Sequence, residues 1–257
     1  MKEPTIIRRT PESLCSVTNI VPLNNVDHAD LRVAQGYGAP FGDAINLTRV
    51  FPPEFEALQR EYVILFLPDP EGGMQAVVLL GLDRDENLYL EGDAWDARYV
   101  PAMQRRGPFS IGVQAGDLPG ERRDPRINVD LDHPRIVREG GESVFRRHGG
   151  NSEYLESASK ALATLYEGLE QTAPMFAAFA QAGLVEPVAI DITIGEGKRY
   201  DLDRFHAISR DRLAALAGPE LEHLHHQGWL TMAIHVASSI ANIESLIARK
   251  TRRGGAL

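Results

Sequence analysis

Histidine is the first side chain to weigh for chemistry, because metal binding and proton transfer both favour it near neutral pH. The densest group is His223, His225 and His226, in Glu222-His-Leu-His-His. On a helix His223 and His226 share a face and His225 points elsewhere. No two of the three are four apart, so the paired ligands of a zinc protease are absent. His28-Ala29-Asp30 has the short spacing of iron oxygenases that use two His and one carboxylate. His133, His148, His206 and His235 compete equally for the third ligand, and a surface turn capped by Asp30 accounts for the same residues without a metal. Fe(II) or zinc is therefore expected only under an enzyme reading built on His28 and Asp30, and otherwise no cofactor.

Nucleophile and phosphate motifs are missing from the sequence: there is no Gly-x-Ser-x-Gly, no Gly-x-x-x-x-Gly-Lys, and no Gly-x-Gly-x-x-Gly between a strand and a helix. Asp83 with Asp85, and Asp93 with Asp96, sit in turn-like acidic segments that solvation explains. Recognition chemistry is denser. Trp95, Arg98, Tyr99, Arg105 and Arg106 crowd into one stretch, and arginine forks both grip carboxylates and stack on aromatic faces. These five point to an acidic small molecule or peptide end as ligand. The competing reading has Trp95 and Tyr99 filling the core while the arginines pair with acids. His235, Ser239 and Asn242, spaced four and three apart, form a polar strip that either lines a pocket or is a satisfied buried network.

The elements that must position these residues change character near residue 150. Before it, short apolar runs at Tyr62 to Leu67, Ala76 to Leu82, Leu88 to Leu90 and Phe109 to Val113 predict strands, with Asp69-Pro-Glu-Gly-Gly73 joining the first two as an antiparallel hairpin. Residues 115–151 predict a surface connection with one strand at Ile127 to Leu131. Asn151-Ser152-Glu153 then begins a long helix, whose Leu155, Leu162, Leu165, Leu169, Phe176 and Phe179 should share one buried face. Pro174 should kink or split it. Val188, Ile190 and Ile192 alternate as a strand does, and Gly195-Glu-Gly197 turns it into Arg199 to Asp203 as a further hairpin. Two closing helices, about 219–226 and 229–250, carry a stripe from Trp229 to Ile247 and end on Arg249, Lys250, Arg252 and Arg253. The expectation is an α+β fold: one domain over 1–257, with an antiparallel β-rich part at 1–150 packed against a mainly helical part at 151–257.

Of 257 residues, 43% are hydrophobic and 25% charged, an ordinary globular balance. Cys15 is the only cysteine, so no internal disulfide can form and a reducing, cytoplasmic setting is expected. With no signal-like apolar core near the start and no uninterrupted apolar run of ~18 residues, no membrane span is expected. The net charge of −9 argues against nucleic acid as partner.

Several segments agree in order with one family. Tyr62-Val-Ile-Leu-Phe66, Val77-Val-Leu-Leu-Gly-Leu82, Glu86-Asn-Leu-Tyr89, Trp95-Asp-Ala-Arg-Tyr-Val-Pro101 and Arg105-Arg-Gly-Pro-Phe109 resemble the bacterial SapC family. So do His28-Ala-Asp-Leu-Arg32, Leu184-Val-Glu-Pro187 and Ile234-His-Val-Ala-Ser-Ser-Ile-Ala-Asn242. One departure stands out: the family usually has Arg-Arg-Tyr-Pro-Phe where Gly107 sits here. The resemblance names no agreed activity. It implies a binding or accessory role in uptake, surface-layer or tailoring pathways for a peptide or small molecule, with a tailoring enzyme or transporter component as protein partner.

Overall fold

The computed structural model describes residues 19–113, 125–188, 190–194 and 197–254. Cys15, the start of the chain and the Gly195-Glu196 half of the second expected turn lie outside them. In chain order the elements begin with β1 (Ile20–Pro22), β2 (Arg32–Val33), β3 (Leu47–Val50), the short α1 (Phe55–Leu58), β4 (Ile64–Pro68) and β5 (Met74–Leu79). β6 (Leu90–Glu91), β7 (Ala94–Trp95), the one-turn α2 (Ala102–Arg105), β8 (Phe109–Val113), β9 (Pro125–Asp130), β10 (Ile136–Val137) and β11 (Glu142–Ser143) follow. After α3 (Glu153–Gln181) come β12 (Val185–Pro187), β13 (Asp191–Ile194), β14 (Lys198–Asp201) and β15 (His206–Ile208). The chain then closes with α4 (Arg210–Ala214), α5 (Gly218–His226), α6 (Trp229–Ser239) and α7 (Ile243–Gly254).

The fold is mixed, as expected, with antiparallel sheets in the first half and most helix in the second. The main sheet has the order β12-β15-β4-β5-β3. Its β4–β5 hairpin turns where the glycines predicted. Gly72 and Gly73 take φ of 109° and 79°, a region that disfavours other residues. Asp69 Oδ1 accepts the Glu71 amide at 3.0 Å. The second half contributes more strand than one hairpin: besides β13–β14, both β12 and β15 join the main sheet, with β15 against β4. The two three-stranded sheets β1-β9-β8 and β10-β2-β11 are closed by pairs far apart in sequence, such as Val21 with Val129 and Val33 with Ile136.

Ser152 caps α3 as predicted, its side chain accepting the Leu155 amide at 3.2 Å. The helix is unbroken through Pro174, so the proline does not split it. Its buried face differs from the expected stripe in one place: Leu169 is 55% exposed and Gly168 faces inward. A methyl group at Gly168 would collide with Phe51 Cβ, so the helix lies close over Phe51 there and no side chain fits between them. Leu162 and Phe176 also enter different clusters, Leu162 with Phe51, Phe109 and Val129, and Phe176 with Phe66 and Phe179. Leu162→Ala should therefore cost about 2–5 kcal/mol, whereas Leu169→Ala should stay within about 0.5 kcal/mol. Denaturant midpoints for the two variants check this, and equal losses would contradict it.

The α6 and α7 helices run on through a 3-10 turn at Ile240–Asn242. By length and composition Trp229–Gly254 is one helix apolar enough to cross a membrane, with mean hydropathy 1.3 over 18 residues, although charged and polar residues interrupt its apolar run. Its inward face is spent on the protein. Ala233, Val236, Ala237 and Leu246 are buried in the main core. Asn242 Nδ2 donates to Gln59 O and Tyr62 O, and the Ser239 hydroxyl accepts the Ile64 amide.

Candidate functional site

Short β6 and β7 carry Trp95 into the core, where it is 8% exposed. Its Nε1 donates to the Tyr62 hydroxyl at 2.7 Å, and that hydroxyl donates to Tyr99 O at 2.6 Å. Burial pushes the Tyr62 phenol far up, so it stays a neutral relay. Tyr99 in turn donates its hydroxyl to Glu54 Oε1 at 3.1 Å and accepts from Arg105 at 2.8 Å. The Arg105 guanidinium lies 4.7 Å above the Tyr99 ring. Trp95, Tyr99 and Arg105 therefore meet in one hydrogen-bonded chain.

Glu54 anchors that chain. It is 1% exposed, and it accepts the Phe51 amide at 3.1 Å and the Ala102 amide at 2.7 Å, which joins the turn before α1 to the start of α2. Burial raises its pKa, against the opposing hydrogen bonds from Ala102, Phe51 and Tyr99 and the charge of Arg105. On α2, Gln104 Nε2 donates to Thr48 Oγ1 at 3.0 Å. Two buried atoms there lack any partner among the described residues, Gln104 Oε1 and Arg105 Nε. Such atoms are rare in folded proteins, because each forfeits a hydrogen bond to water.

A second guanidinium acts on the same Tyr37 phenol as that of Arg105. Arg135, 5% exposed, donates to Asp43 Oδ2 at 2.9 Å and to Gly36 O, with its Cζ 4.3 Å from the Phe41 ring centre and 5.4 Å from that of Tyr37. Burial raises the Asp43 pKa against the Gly38 amide and Arg135. The Tyr37 phenol is raised by burial too, with Arg135 and Arg105 both near enough to oppose it. Burial pushes Tyr154 up to about 12. The Tyr154 hydroxyl also explains Gly107: a Cβ at 107, where φ is +57°, would lie 2.5 Å from it. An α3 aromatic thus occupies the space that a side chain at the variant position would enter.

The remaining sequence candidates lie apart from this group. Arg98 is exposed, and its amide donates to Glu61. Arg106 turns back on its own loop, donating to Phe109 O at 2.7 Å. In the strip on the last helix, Ser239 and Asn242 form a satisfied network, as the hydrogen bonds above show. His235 lies apart from them near Glu56 and Arg60, its pKa lowered by burial. His28 Nδ1 stands 3.2 Å from both the amide and the carbonyl of Asn24, while Asp30 is exposed. Among the described residues no three His, Cys, Asp or Glu come together to hold a metal, so the ligand set needed for an oxygenase at His28 and Asp30 is not assembled.

Sequence reasoning missed Tyr37, Asp43, Glu54, Arg135 and Tyr154. Glu54 alone carried a signal, as an acid inside the apolar Phe51-Pro-Pro-Glu-Phe55. An ion cluster elsewhere ties the β13–β14 hairpin down: Asp83 accepts from Lys198 at 2.7 Å and Lys250 at 2.6 Å, and Lys250 also reaches Glu86. Burial would raise the Asp83 and Glu86 pKa values, but the lysine hydrogen bonds outweigh it and lower both. A lowered folded value means stability that is present above the ordinary carboxylate range and lost as pH falls through the lowered one. Acid should therefore lower the amide protection factors, taken against the intrinsic rate at each pH, in β14 before it lowers those of β4 and β5. Simultaneous loosening of all three would contradict this.

A family model described as SapC matches residues 23–246. No curated protein and no solved structure matches the chain.

Proposed function

Because this chain belongs to the SapC family, we propose that it works as a cytoplasmic, non-catalytic binding or accessory protein in a bacterial peptide or small-molecule tailoring, transport or surface-layer pathway. Its ligand on this reading is an acidic small molecule or a peptide carboxylate held at Arg105. One observation carries the reading: a half-buried arginine, its guanidinium stacked on Tyr99, whose buried Nε has no partner and which has no carboxylate within ion-pair distance among the described residues. A carboxylate would supply the missing acceptor with the bidentate geometry that arginine favours. The non-catalytic part rests on Glu54 and Asp43. Both have raised pKa values, yet their oxygens accept bonds that hold the protein's own backbone and Arg135.

The test is calorimetric titration with short dicarboxylates and with peptides ending in a free carboxylate. Arg105→Gln should weaken binding about 10- to 100-fold, the range for a charged hydrogen bond, while exposed Arg98→Gln should leave it unchanged. Equal affinity for wild type and Arg105→Gln, or no binding across the panel, would contradict the proposal.

A further inference from the structure

A cavity of about 590 Å3 opens between the end of β1, the start of β9, the loop before α3 and the first turn of that helix. Its floor is apolar. Leu23, Ile127 and Phe145 are half-buried and Leu155 is buried, all in or against the core cluster of Phe51, Phe109 and Val129. The walls are fixed by hydrogen bonds within the protein. Asn24 Oδ1 accepts the Val26 and Asp27 amides at 3.0 and 2.8 Å, and Asn24 Nδ2 donates to Asp27 Oδ2, which locks the turn after β1. Across the cavity, Phe145 pairs with Asn151 as an antiparallel bridge, the Arg146 amide donates to Gly150 O at 2.9 Å, and the Ser152 amide donates to Val144 O at 3.1 Å. A site held in this way has little freedom left to lose when a ligand enters.

We propose that this cavity binds a small monocarboxylate with an apolar body. The polar lining sets the charge. Arg126 is exposed and has no ion-pair partner among the described residues, the exposed carboxamides of Asn25 and Asn151 share the rim with it, and no lining residue is acidic. In a chain of net charge −9, an acid-free pocket with one unpaired guanidinium selects an anion over a cation. That guanidinium matches the single charge of a carboxylate, which it can grip with two parallel hydrogen bonds. A phosphate monoester, at about −1.5 to −2, would be left partly unpaired. The floor takes the rest of the molecule, and the volume falls within the roughly 300–1,000 Å3 of ordinary small-molecule sites. The cavity shares no lining residue with the group of Glu54, Tyr99 and Arg105.

The probes are acetate, hexanoate and 3-phenylpropionate, each beside its neutral primary amide, titrated into the whole protein. Calorimetry gives the affinity, and the side-chain NH2 signals of Asn25 and Asn151 report this cavity alone, so the outcome is independent of Arg105. Hexanoate and 3-phenylpropionate should move both signals, bind more tightly than acetate, and exceed their own amides about 10- to 100-fold, the range for a charged hydrogen bond. Arg126→Gln, at an exposed side chain, should remove the preference for acid over amide while the melting temperature holds. Asn25 and Asn151 signals unmoved by every acid, acid and amide binding alike, acetate binding as tightly as the larger acids, or a preference that survives Arg126→Gln would each overturn the proposal.

Discussion

Arg135→Met should destabilise the protein by about 3–5 kcal/mol, because it leaves the Asp43 carboxylate buried without its counter-charge. Both side chains of the pair are only 6% exposed, so water cannot replace the lost partner. Asp43→Leu combined with Arg135→Met should recover only part of the loss: the unpaired buried charge is gone, but the Gly38 amide and the Gly36 carbonyl lose their partners. The variant should also be sensitive to pH with a definite sign. The Asp43 pKa is already raised by burial, and losing Arg135 raises it further. A raised folded value contributes stability that is full below the unfolded value and lost as pH rises through the folded one. The gap between wild type and Arg135→Met should therefore widen from acid towards neutral pH. A gap independent of pH would mean that Asp43 finds another partner.

Glu54→Leu should have the second large effect, about 2–6 kcal/mol, through two buried amides left unsatisfied at about 1–3 kcal/mol each. Those amides belong to Phe51 and Ala102. Glu54→Gln should cost less, because its one carbonyl oxygen can still accept at one of the two places. Placed where Oε1 sits, that oxygen keeps both the Ala102 amide and the Tyr99 hydroxyl and loses only the Phe51 amide. Urea denaturation of both variants is the check. A Glu54→Leu variant as stable as wild type would show that the two amides have other acceptors.

Local chemistry made much of the frame legible. The Asp69 to Gly73 turn, the Ser152 cap and the inward face of the last helix each follow from residues within one or two turns of one another. Long-range pairing did not show. Nothing near Arg135 announces Asp43, 92 positions away, and nothing near Gly107 announces the Tyr154 hydroxyl. Leu169 failed for the same reason: helical spacing marks it as apolar and in phase, but Phe51 decides that Gly168 must face inward. The candidate site was half visible. Trp95, Tyr99 and Arg105 meet as one hydrogen-bonded chain, yet the acid that organises them comes from Glu54, before α1. Arg98 and Arg106 were drawn in only because they are close in sequence.

The most direct test of the binding account is the Arg105 Nε–H resonance in protein labelled with 15N-arginine, followed as the dicarboxylate and peptide-carboxylate panel is added. An orphaned buried donor that gains an acceptor should shift and saturate with the ligand, while Arg135 Nε–H, whose guanidinium is already held by Asp43 and Gly36, stays in place. An Arg105 signal unmoved by every member of the panel, or one that moves no more than those of exposed arginines such as Arg98, would contradict the assignment of Arg105 as the ligand's anchor.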